Sequence, residues 1–457
     1  MSNQKVQPKQ RPAKELASFV SNLDFESLPE EVVSTTERIF VDEVGVLLAG
    51  LADDATESVS RLVQGPDADP GAILTEYVST SEMDTAFVLG TAGHAFDFNN
   101  TAMGAIHPSV APIAGILAVG SRVNATGEEL ITAYVSGYET QCYLGTAILP
   151  SHYERGWHPT STLGIFGVTA AVASLLNLDE RETEHALNLT SSLASGVVEN
   201  FGTMTKPLHA GHAAKSGVTA ALLAQDGFTA GETAVGTEGG FLDLFSGSQP
   251  PVIDLLPDLG TEWGLLEHGI EMKKYPCCSF THSGIAATNE IRTQHDVTPE
   301  EVESIEVIAS EGAADCLQYP SPSTGVEARF SMPYVIARVV ADGQIGLTAF
   351  EDNSIDEETI HGLQQNVHFH VDDEFPYNSH RTVVKVETTD GDILSFTQET
   401  PPGSVDNPLT DEELRWKFDE CIDYSPLNVG KDKLFNRLSN LSEQTSIQRI
   451  LGPIHNT

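Results

Sequence analysis

Between residues 16 and about 266 the apolar positions recur at helical spacing, and the runs are separated by loops marked with Gly and Pro. Val32, Ile39 and Val46 fall on one such stripe, and residues 129–145 place Leu130, Tyr134, Gly137 and Tyr138 on one face. Residues 163–176 are apolar all round and rich in Gly and Ala, which predicts a helix buried among other helices. Asp179 with Glu182 three positions on predicts a capped helix start. The next helix is predicted from Ala210 to a stop at Gly227. After Tyr275 the period changes. Residues 302–309 and 366–371 read as strands, and 381–397 as a hairpin turning at Asp390-Gly391. Residues 330–342 and 356–365 read as helices among them, and 411–421 returns to helix, expected to dock back on the first domain. The pattern predicts a mainly α protein with a second, α+β domain. Residues 1–14 are polar and expected to be disordered.

Four stretches break the apolar logic by placing hydrogen-bonding groups among small residues. They are residues 90–109 (GTAGHAFDFNNTAMGAIHPS), 156–164 (GWHPTSTLG), 204–214 (MTKPLHAGHAA) and 272–282 (MKKYPCCSFTH). Buried polar groups cost free energy unless each finds a partner, so a sequence that only filled a core would not carry them. The four are expected to meet around one anionic small molecule.

Charge sharpens that expectation. The formal net charge is -42, a field that repels nucleic acid and anionic membrane surfaces and removes both as expected partners. The acids are spread over patterned segments rather than gathered in disordered runs. This is the profile of a cytoplasmic protein from a high-salt (halophilic) organism, an acidic mesophilic enzyme being the plainer alternative. Five cysteines form no even framework and no CxxC, which fits a reducing cytoplasm. No apolar run of about 18 residues and no h-region is found, so neither a membrane span nor a signal peptide is expected.

Against this background the cations stand out. Seven basic residues lie between Leu62 and Ile291, and four of them are Lys206, Lys215, Lys273 and Lys274. A di- or tricarboxylate needs such cations for entry and for charge that grows during reaction. Lys206 and Lys273 are the candidates; Lys215 and Lys274 are expected to be solvated. Nine of the 15 histidines lie between His94 and His282. His107 and His158 each precede a proline, which favours extended backbone and puts both imidazoles on loops. An imidazole gives or takes a proton near neutrality, so these two are the candidate acid–base groups. His94, His209, His212 and His282 read as structural, with His209 and His282 as possible pocket linings. Asp97 is either a cap or a group that orients a histidine or a substrate hydroxyl, and Thr101 shares its face if the segment is helical. No phosphate-binding loop, dinucleotide fingerprint, GxSxG, HExxH or cysteine triad is found. The chemistry is therefore expected from side chains alone, with no cofactor and no metal.

At these residues the chain resembles the MmgE/PrpD family, which includes 2-methylcitrate dehydratase, cis-aconitate decarboxylase and iminodisuccinate epimerase. The likeness runs from about Leu16 to Cys421 through GHAFDFNNT with IHPS, TGEELITAYVSGYE, GWHPTSTLG, MTKPLHAG, KKYPCCSFTH, EARFSMPYVIA and DNPLT. It implies a large helical domain (15–268 and 400–457), a smaller α/β lid domain (269–399) with the active site at their junction, and a homodimer. The family's pocket groups fall on Asp97, Thr101, His107, His158, Lys206 and Lys273, and of these Asp97, His107, His158, Lys206 and Lys273 are the candidate catalytic residues. Thr101, His209, His282 and Tyr334 are the candidate substrate-binding residues. Two departures matter. Asn99 and Asn100 stand where many relatives have acids. Val110 follows HPS where the methylcitrate dehydratase branch usually has an acid, which shifts the likeness toward the decarboxylase and epimerase side. The resulting expectation is a cofactor-independent lyase that moves a proton next to a carboxylate of a small di- or tricarboxylate. An epimerase of an iminodisuccinate-like dicarboxylate and a non-catalytic binding protein are the alternatives. Which histidine is the base is left open.

Overall fold

The computed structural model describes residues 11–75, 81–104, 106–247, 249–252, 256–355 and 357–455. Of the N-terminal stretch expected to be disordered, residues 1–10 lie outside these. Residues 12–14 instead open a helix, Pro12–Asn22, which buries Leu16, Ala17 and Val20. Proline is tolerated in this first turn because its missing N–H would have no partner there.

The fold is predominantly helical, with one four-stranded mixed sheet. The chain divides into two compact units: the first holds the residues up to Ala95, Asn99–Ile270 and those from Ser425 on, the second Phe96–Phe98 and Glu271–Tyr424.

In the first unit the helix Gly164–Leu175 is the hub. It packs against Gly127–Ile148, Val110–Val123 and Thr205–Gln225, as its all-round apolar sequence requires. Gly127–Ile148 and Glu180–Thr190 both start with a capping box, from Thr126 and Glu129 and from Asp179 and Glu182. The helix expected from Ala210 starts earlier, at Thr205. Lys206 and Pro207 therefore belong to its first turn, where the proline costs no hydrogen bond. Helix Lys431–Leu438 packs on Glu30–Gly50.

One buried acid on this scaffold sets a pH dependence. Glu139 is 1% exposed and accepts N–H bonds from Gly264 (2.9 Å) and Leu265 (3.1 Å). Burial pushes its carboxyl up to about 7 in spite of those bonds. A raised acid pKa means the folded chain holds the proton longer than the unfolded one. Its stabilising contribution is therefore complete below the unfolded value and is lost as pH rises through about 7. We expect wild type to lose roughly 3 kcal/mol relative to Glu139→Gln between about pH 4.5 and 8 in chemical denaturation. A gap that stays constant with pH would refute the assignment.

In the second unit the sheet runs in the order β2-β1-β3-β4. The strands are β1 Val302–Ala309, β2 Val367–Val371, β3 Thr382–Thr388 and β4 Ile393–Gln398. β1 pairs parallel with β2 and antiparallel with β3, and β3–β4 is the hairpin expected around Asp390-Gly391. Alternation buries Ile305, Val307, Val384 and Val386 in a core shared with helices Ser279–His295 and Met332–Asp342. Residues 400–424 group with this unit rather than with the helical one. Their helix Asp411–Tyr424 packs on the 3-10 turn Leu347–Phe350 and buries Leu414, Phe418 and Cys421. Among the described residues no helix is long and apolar enough to cross a membrane.

Candidate functional site

Helices Glu82–His94 and Thr205–Gln225 cross in close contact. A Cβ on Gly90 would lie 2.9 Å from Gly211 Cα, and one on Gly211 would lie 2.2 Å from Thr91 Oγ1. Only glycine permits this approach. The small residues around the histidines thus have a packing reason: they bring the last residue of one helix, His94, near the start of the other, where His209 sits.

Four imidazoles gather there. The His94 ring lies 4.7 Å from that of His107, edge to face, and stacks at 5.7 Å on His158. His158 in turn places its Nδ1 3.0 Å from Nδ1 of His209. His94, His158 and His209 are buried, and His107 is half-buried. His94 Nδ1 pairs with Asn99 Oδ1 at 3.1 Å, so Nδ1 carries a proton and the acid–base nitrogen of the neutral ring is Nε2. The His158 N–H donates to Gly196 O at 3.1 Å, and at Gly196, φ +119°, an added Cβ would lie 2.9 Å from Ser161 Cβ. A side chain at that position would displace the loop that holds His158.

The His107 loop is held from behind. Its own N–H donates to Thr160 Oγ1 (3.0 Å), Gln141 Nε2 donates to Pro108 O (2.8 Å), and Ser109 Oγ bonds Asn100 Oδ1 (2.6 Å) and the Tyr134 hydroxyl (2.7 Å). The Asn100 amide donates to the buried acids Asp42 and Glu43, each at 3.2 Å. An aspartate in that place would put a third carboxylate among them, so asparagine at 100 is a structural choice. Asn99 serves His94.

Lys206 stands over the Phe201 ring with its ammonium 4.8 Å from the centroid, and the same ring takes the edge of His158, also at 4.8 Å. A cation in a first helical turn gains nothing from the helix dipole, so its position answers to something other than helix stability. Burial, then His212 and Lys206, hold the His209 imidazole below its ordinary pKa. Lys206, His107 and His158 are thus brought into one neighbourhood, together with His94 and His209. Lys215 is instead paired with Asp84 at 2.7 Å.

Of the other expected residues, Thr101 belongs to the first unit, and Asp97, Lys273, His282 and Tyr334 to the second. Asp97 is not helical: it sits at φ +52° in a loop, which removes the helix face expected for Thr101. Its tripeptide is held by three cations. Lys273 Nζ donates to Asp97 O (2.6 Å) and lies 3.2 Å from its carboxylate. Lys417, almost wholly buried, donates to Phe98 O (2.8 Å) over the Phe98 ring. The Arg329 guanidinium lies 5.1 Å from the Phe96 ring centroid. Lys274 pairs with Glu413 at 2.6 Å. His282 is buried against Tyr275, and burial, then Lys273, lower its pKa to about 3, which keeps it neutral. Tyr334, expected to bind substrate, is wholly buried. Its hydroxyl donates to Ala349 O and accepts from Arg338, so it serves the core of this unit.

The family models for the MmgE/PrpD N-terminal domain and the MmgE/PrpD C-terminal domain match residues 14–254 and 275–434. The chain belongs to the MmgE/PrpD family. Among curated relatives it is similar to cis-aconitate decarboxylase of Mus musculus, 26% identical over 88% of this chain and 85% of that one. It is also similar to the cis-aconitate decarboxylase-like protein oryM of Aspergillus oryzae, 24% identical over 96% of both chains. A cis-aconitate decarboxylase of Aspergillus terreus is 23% identical over 88% of each. In this MmgE/PrpD chain, His94, read from the sequence as structural, lies among the candidate imidazoles, and Phe201 and Lys417, not singled out at all, pack against His158 and Lys206 and against Phe98, respectively. The available signal for His94 was its place at the end of a Gly/Ala-rich helix, one that can approach another helix closely.

Proposed function

We propose that this protein is a cofactor-independent lyase acting on a small di- or tricarboxylate, with decarboxylation of cis-aconitate or a close analogue as the favoured reaction. The observation that carries the reading is the gathering of His94, His107, His158 and His209 beside the Lys206 ammonium, a set able to move a proton and offset an anion. The names of the relatives favour loss of carbon dioxide. So does Val110, which is buried against the Gly93 backbone where an acid would mark the dehydratase branch.

In this reaction the carbon–carbon bond to one carboxylate breaks, carbon dioxide leaves, and the electron pair spreads over the adjacent double bond toward a remaining carboxylate. A proton from His107 or His158 then forms the new carbon–hydrogen bond. Lys206 steadies the charge on the substrate meanwhile. For Lys273 we retain the role the family likeness implies, neutralising a substrate carboxylate, and for Asp97 that of orienting partner.

The test offers purified protein cis-aconitate, citrate, 2-methylcitrate and iminodisuccinate at high salt and follows each by NMR with carbon dioxide release. Turnover of cis-aconitate with carbon dioxide supports the reading. Water loss from 2-methylcitrate or inversion of iminodisuccinate replaces it with the dehydratase or epimerase. Thermal stabilisation by all of them without turnover replaces it with a binding protein.

We also propose that the protein works at high salt, given its net charge of -42. Screening relieves repulsion among the surface acids, so Tm is expected to rise by on the order of 10 °C between about 0.1 M and about 2 M KCl. A Tm that stays flat or falls refutes this.

A further inference from the structure

We propose that His209 is the proton partner of His158, a positioning and relay residue that resupplies the proton His158 delivers to substrate carbon. The inference rests on the lyase reading above and goes beyond it by naming the route of the proton.

The two Nδ1 atoms are 3.0 Å apart, a distance at which two imidazoles share one proton, since two lone pairs or two N–H groups facing each other repel. One ring is therefore the Nδ1–H tautomer, and the other accepts at Nδ1 and keeps its proton on Nε2. Both rings are buried, 2% and 8% exposed, and His158 is further fixed by its backbone bond to Gly196. The groups facing the pair are His94 from the Glu82–His94 helix and, from the helix of His209 itself, Lys206 and His212. Burial, then His212 and Lys206, hold the His209 pKa below its ordinary value, so a proton that it takes up is readily passed on.

His209 also lines a cavity of about 350 Å³ with His212, Phe87, Ser195, Asn200 and Leu208. The pair thus connects His158 to a space from which protons can come. Decarboxylation of a carboxylate to carbon dioxide and a C–H bond consumes one proton per turnover, so His158 must be recharged each time. The balanced sequence starts with His158 neutral and protonated on Nε2. That proton goes to carbon, a proton enters at His209 Nε2 from the cavity, and the shared Nδ1 proton shifts from His209 to His158. Re-setting both tautomers closes the cycle with no net change in the pair.

Two measurements separate this proposal from the reading beneath it. The first uses no substrate: wild-type protein labelled with ¹⁵N-histidine is expected to show a coupling across the hydrogen bond between the Nδ1 nuclei of His158 and His209. Two Nε2–H tautomers without coupling would overturn the proposal even in an active enzyme. The second is His209→Ala, expected to lower kcat by about 10–100-fold with KM little changed and to recover with added imidazole, which fits the enlarged cavity. A rise in KM alone, unaffected by imidazole, would make His209 a substrate contact and overturn the relay. Should wild type turn over no polycarboxylate, the lyase reading falls and the NMR experiment still judges the pairing.

Discussion

His158→Ala and His107→Ala are each expected to lower kcat for the polycarboxylate substrate by about 10²–10⁴-fold, which is about 3–5 kcal/mol of barrier. The size follows from removing a positioned proton donor from the site. His94 is pinned through Nδ1 by Asn99, and His209 is joined to the site through His158. Both variants are expected to remain folded. The loops that carry these residues are held by backbone bonds to Thr160 Oγ1 and Gly196 O, which alanine retains. Circular dichroism and Tm measured beside kcat separate loss of chemistry from loss of fold. Full activity in both variants would remove the imidazoles from the mechanism.

Lys206→Met is the second large effect, a fall in kcat of about 10²–10³-fold. Methionine keeps the length and the packing on Phe201 and removes only the charge. The loss is expected mainly in kcat, because charge on the substrate grows as the bond to carbon breaks and the ammonium is worth most then. A change confined to KM would assign Lys206 to ground-state binding. The variant also relieves one cause of the low His209 pKa, since Lys206 is among the groups that hold it down. Its His209 titration, read by NMR, should therefore move up.

Much of the local structure was legible in the chain. The all-round apolar run at 163–176 had to be a central helix, and Gly164–Leu175 is one. The alternation at 302–309 had to be a half-buried strand, and β1 spans those residues. The Asp179 start and the Asp390-Gly391 turn follow from hydrogen bonding and φ > 0 within a few residues. Such features depend on neighbours in sequence. For the same reason His-Pro placed His107 and His158 on loops.

Other features depended on partners far away in the chain. His94 read as structural from the sequence, yet it sits among the four imidazoles, because what matters is the Gly90–Gly211 approach 121 positions apart. Asp97 and Thr101 would share a face if their segment were helical, whereas Asp97 sits in the left-handed region in a tripeptide held by Lys273, Lys417 and Arg329. Tyr334 carried the family pattern, yet its hydroxyl is spent on Ala349 and Arg338.

What the sequence determined by itself was the alternation of helices and strands, the family, and the residue types able to do the chemistry. Periodicity, capping and proline restriction act within a turn or two, and composition acts everywhere. What only the tertiary structure decided was which imidazole meets which nitrogen, and which polar groups are already committed to a partner. A hydrogen bond is settled by tenths of an ångström between elements that sequence spacing leaves free to meet or miss.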